Sequence, residues 1–133
     1  MHYKQIGWEQ HPGNEEQPSW YHGPAVTSIA SNVAPNANIV YIATHNHGPM
    51  PNGSKGHDDT HQCEALQYLL DLNSTLAEQD KIRFLSCSWG TKEDLNYEKR
   101  NELFQKLEDQ GVMILGGYRG VLHNQHIIGL SRN

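Results

Sequence analysis

Apolar residues along the chain fall into short blocks, and the spacing inside the blocks switches between helical and extended. Ala25, Ile29 and Val33 recur at helical intervals, which predicts a helix from His22 through Asn32 with Pro24 tolerated in its first turn. Ala34-Pro35-Asn36-Ala37 stops it. Ile39-Val40-Tyr41-Ile42 is a continuous apolar run, as expected of a strand covered on both faces. A polar stretch rich in Gly, Pro and His follows, from about His45 to His57. Leu66, Leu69, Leu70, Leu76 and Ala77 then define one face of a long helix starting near Asp59 or Thr60. Ile82 to Ser88 reads as the next strand. Leu95, Leu103, Phe104 and Leu107 mark another helix, closed by Gly111 in the C-terminal glycine position. Val112 to Leu115 and Ile127 to Leu130 read as two further strands. Residues 1–20, with Gly7, Pro12, Gly13 and Pro18, carry turn formers without a period. They read as an irregular N-terminal segment before a single domain over 21–133.

Buried strands alternating with helices predict an α/β domain built as a three-layer sandwich, with helices covering a mostly parallel sheet. In such sheets binding and chemistry gather at the carboxyl ends of the strands. The segments to examine are those after Ile42, Ser86 and Leu115, together with helix starts at the same edge.

Composition narrows the function classes. The chain has 133 residues, enough for one domain with a core of its own. Ten basic against fifteen acidic residues give a net charge of -5, which argues against sequence-independent nucleic-acid binding. Apolar runs are too short to span a membrane. The opening residues Met1-His2-Tyr3-Lys4-Gln5 do not resemble a signal peptide. Cys63 and Cys87 form no recognisable motif and fit either redox compartment.

His22-Gly23-Pro24-Ala25-Val26-Thr27-Ser28-Ile29-Ala30, followed by Val33-Ala34-Pro35-Asn36-Ala37-Asn38-Ile39, resembles the histidine region of the subtilisin-like serine proteases. Phe84 to Gly90 resembles that family's strand ending in Ser-x-Gly. Gln110 to Gly117 resembles its Gly-Val strand, and His126 to Leu130 the strand after it. The pieces run in the family's order and cover most of the chain from Tyr21 to Ser131. The resemblance implies a serine endopeptidase domain in which His22 is the general base, since a hydroxyl nucleophile needs a base titrating near neutral pH. It also implies that Ser88, Trp89 and Gly90 pair through their backbone with an extended peptide or protein substrate, Gly90 leaving room for a side-chain pocket. Members of the family are often secreted and often bind calcium. No cofactor is required for the hydrolysis.

The chain departs from the family at three points. The triad order is Asp, His, Ser, yet no aspartate precedes His22, the first being Asp58. A Gly-Thr-Ser-x-Ala-x-Pro nucleophile motif is missing. Where the family carries its oxyanion asparagine, this chain has Gly116-Gly117-Tyr118-Arg119-Gly120, with Asn124 out of register. Tyr118 or Arg119 can donate hydrogen bonds to an oxyanion, while the same stretch also reads as a glycine-rich turn. Three accounts fit: an internal piece of a longer protease, a degenerate member keeping a peptide-binding cleft, or a general α/β fold. As it stands the chain is expected to be inactive.

Nine histidines are many for this length. His45 and His47 alternate in an extended segment, His57 and His61 are four apart, and Cys63 follows. Imidazole and thiolate are zinc ligands, so these five residues form a candidate metal site, although their spacing matches no standard zinc pattern. Asn52, Asp58 and Asp59 are oxygen donors suited to calcium, without a legible ligand loop.

Overall fold

The computed structural model describes residues 2–6, 22–44, 52–53, 56–87, 93–116 and 126–131. They form a small mixed α/β fold with strands β1 (His2–Ile6), β2 (Asn38–Thr44), β3 (Ile82–Cys87), β4 (Met113–Gly116) and β5 (His126–Ser131). The helices are α1 (His22–Val33), α2 (Thr60–Thr75) and α3 (Tyr97–Asp109), with a short 3-10 turn at Glu78–Asp80. The sheet runs β1-β2-β5-β3-β4. β1 pairs parallel with β2, and β3 parallel with β4, while β5 lies antiparallel between β2 and β3. Four strands therefore share one direction and β5 opposes them.

β5 has a simple geometric cause. The chain leaves β4 at the carboxyl edge, and only residues 117–125 separate it from His126. A parallel partner needs a crossover of about a dozen residues or more, usually with a helix. The shorter connection re-enters the sheet from the edge at which it left.

β2 shows how alternation divides the core. Val40 and Ile42 face one side, where Ile42 joins Cys63, Ala65, Leu66 and Leu69 of α2, Ile82, Leu85 and Cys87 of β3, Leu103 and Leu107 of α3, and Val112. Ile39, Tyr41 and Ala43 face the other side, against Val26 and Ala30 of α1. The α1 stripe is thus offset by one residue from the expected Ala25, Ile29, Val33 series. Ala25 is exposed, and Ile29 and Val33 are 64% and 81% exposed. Leu95 precedes α3 instead of lining it and is also exposed. β1 is an element that the turn-rich reading of residues 1–20 does not contain.

Gly111 follows α3 with φ +84, where it caps the helix through its N–H to the Glu108 carbonyl. A Cβ there would meet nothing closer than Arg83 Nη1 at 3.7 Å. Gly111→Ala is therefore expected to lose only the backbone term, about 1–2 kcal/mol, measured by urea unfolding.

Candidate functional site

The shared strand direction brings the ends of β1, β2, β3 and β4 to one sheet edge, and α1, α2 and α3 all begin after a strand that ends there. His22 is the first residue of α1, the helix that precedes β2. Ser88, Trp89 and Gly90 directly follow Cys87, the last residue of β3, but they lie outside the described residues. So do Tyr118, Arg119, His45 and His47.

The best-defined group at this edge joins the starts of α2 and α3. Asp59 occupies the N-cap position of α2, its carbonyl accepting the Cys63 N–H at 3.1 Å while its side chain makes no cap bond to that helix. Its Oδ1 instead accepts the backbone N–H of Asn96 at 2.7 Å and Asn96 Nδ2 at 3.0 Å. Asn96 is the N-cap residue of α3, so a carboxylate from one helix start meets the positive end of the other. Asp59 Oδ2 accepts Arg100 Nη1 at 2.8 Å, and the same nitrogen donates to Asp94 Oδ2 at 2.5 Å. All three charged side chains are at least 96% buried. Arg100 also stands over the Tyr97 ring, 5.6 Å from its centroid.

Backbone contacts tie the same two segments together. Leu95 N–H donates to the His57 carbonyl, and His57 N–H to Asp94 Oδ1. Gly56 has φ +100, and a Cβ there would collide with the Glu93 carbonyl. Only glycine permits both the conformation and the approach.

Three of the five metal candidates, His57, His61 and Cys63, are described. His57 Nδ1 lies 3.5 Å from Asp94 Oδ1, and His61 Nδ1 lies 3.1 Å from Glu64 Oε2 on α2. Cys63 is buried among the core residues. Among the described residues no three His, Cys, Asp or Glu side chains are grouped to hold an ion. Asp58 Oδ1 accepts the N–H and hydroxyl of Thr60, and Asp59 is engaged by Arg100 and Asn96. Asn52 is exposed.

Burial pushes the Cys63 thiol from an ordinary value of 9.0 up to about 11, helped by the negative charge of Asp59. Burial also raises the Cys87 thiol. Both thiols are therefore protonated in the native protein, and the unfolded chain releases their protons first as pH rises. Stability is expected to fall as pH rises through 9 towards 11, where the unfolded thiols ionise and the buried ones do not. Urea midpoints at pH 8, 9 and 10, compared with a Cys63→Ala, Cys87→Ala variant, measure this slope.

Asp94, Asn96 and Arg100 were not singled out from the sequence. A signal for Arg100 was there: it shares the i, i+3, i+7 stripe with Leu103 and Leu107. A cation in the apolar stripe of a helix needs a buried counter-charge.

Comparison with protein-family models, with curated proteins and with solved structures finds no match.

Proposed function

We propose that this chain is a segment of a subtilisin-like serine endopeptidase domain, a three-layer sandwich that binds extended peptides and does not cleave them unaided. His22 takes the general-base position. Ser88, Trp89 and Gly90 form the edge along which the peptide backbone pairs. One observation supports this reading: His22 opens a helix, α1, and Ser88 directly follows the end of a strand, β3, as the resemblance implies for base and peptide edge. Calcium binding and completion by the remainder of a longer protease chain belong to the same proposal. A non-catalytic peptide-binding module on the same fold is the second reading, favoured by the absent Asp and Ser motifs.

Backbone pairing tolerates many sequences, so a generic probe suffices. A fluorescein-labelled decapeptide of alanine, serine and leucine is expected to bind in fluorescence polarisation. Gly90→Val is expected to weaken binding at least tenfold by filling the pocket, while His22→Ala leaves it unchanged. Absence of binding at millimolar protein would remove both readings.

A further inference from the structure

We propose that Asn52 is a self-modification site, at which the native chain converts the Asn52–Gly53 step into a mixture of isoaspartate and aspartate without an enzyme. Asn52 is the only asparagine of the sequence that a glycine follows. Both residues are exposed, Gly53 has φ +70, and a Cβ built on it would find nothing within 4 Å. In the reaction the Gly53 backbone nitrogen attacks the side-chain carbonyl carbon of Asn52. The bond from Gly53 N to Asn52 Cγ forms, the Cγ–Nδ2 bond breaks, and Nδ2 leaves as ammonia with the proton of the Gly53 N–H. The five-membered imide then takes up one water. Opening at Cγ gives aspartate, and opening at the main-chain carbonyl gives isoaspartate, whose backbone runs through the former side chain. No oxidant, reductant or cofactor is consumed.

The attack needs a backbone that can swing and a following residue that does not obstruct the nitrogen. Glycine has no Cβ and the widest range of φ and ψ, so it meets both conditions. Asn52 keeps an interaction partner in the native chain, and because the residue is exposed, water can take that partner's place at little cost. Elsewhere the fold restrains the same chemistry. Asn73–Ser74 lies inside α2, where buried Asn73 donates to Gln110 Oε1 at 2.9 Å and accepts the Ile82 N–H at 2.7 Å. Asn96 donates to Asp59 Oδ1 and precedes Tyr97, while Asn38 opens β2 ahead of the β-branched Ile39. The reaction is thus concentrated at one exposed step, and either product adds a negative charge to a chain already at -5.

The test incubates the full chain at pH 8 beside synthetic peptides of residues 49–56 and 70–77, and follows the amide-to-acid mass change by peptide mapping. Isoaspartate is counted by methyl transfer from labelled S-adenosylmethionine with an isoaspartyl methyltransferase. Asn52 in the native chain is expected to react at no less than a tenth of its peptide's rate, and Asn73 at least a hundredfold more slowly than its own. Asn52→Gln is expected to abolish the methylation. If Asn52 reacts more than tenfold more slowly than its peptide, the native backbone withholds the Gly53 nitrogen and the proposal fails. Methylation that persists in Asn52→Gln overturns it by placing the reaction elsewhere. Asn73 reacting as fast as its peptide overturns the selection of one site by the fold.

Discussion

Arg100→Ala is expected to cost about 3–5 kcal/mol of unfolding free energy, because it removes the only described cation between two buried carboxylates. Asp59 and Asp94 would then be two desolvated like charges whose shared cationic partner is gone. Some of the cost is structural, since Asn96 and His57 are held through the same two carboxylates. The check is the urea midpoint of Arg100→Ala against the variant in which all three charges are neutralised together. The single substitution should be far less stable than the triple one. Equal stabilities would mean that water enters the junction freely, contrary to its burial.

Peptide hydrolysis by residues 1–133 alone is expected to be unmeasurable. Triad members act as a unit, and losing the nucleophile costs roughly 10⁶ in turnover. Residual catalysis of roughly 10³ over water needs binding and oxyanion donors, and the asparagine that resemblance would assign to that task has no counterpart in register. Ser86 lies within β3, opposite Leu115 and Ile128 in the sheet ladder, where its backbone is occupied by pairing. A fluorophosphonate probe and a fluorogenic peptide, applied to wild type and His22→Ala, give the measurement. Serine labelling that disappears in the variant would reveal a nucleophile other than the family's and refute the expectation.

How far the sequence could be read depended on what each element buries. β2, α2, β3 and α3 bury apolar side chains at regular intervals, so periodicity located them within a residue or two, and Gly111 marked the end of α3. β1 was hidden because His2-Tyr3-Lys4-Gln5-Ile6 is mostly polar and pairs only at the outer side of β2. A strand at a sheet edge need not carry a buried apolar run. The direction of β5 was equally hidden, since a period of two is the same read either way; the length of its connection held the clue. α1 was placed correctly but rotated, because Ile29 and Val33 are apolar yet face outward. His22 was read from a resemblance carried by its flanking residues, and of that reading the structure describes the helix that His22 opens. The junction of Asp59, Asp94, Asn96 and Arg100 unites residues some forty positions apart, and no local pattern joins them.

The antiparallel strand at the centre of the sheet also governs how the molecule is assembled during synthesis. β5 is the last described strand to leave the ribosome, and it is the one that joins β1-β2 to β3-β4. Until it arrives, β2 and β3 each present a row of unpaired backbone groups, the template for wrong pairing with other chains. Ile39 waits for Leu130 and Tyr41 for Ile128, pairings that span most of the chain and so form slowly. A nascent or truncated chain lacking residues 126–131 would hold two half-sheets with open seams, and its solubility would depend on how long chaperones keep those seams apart.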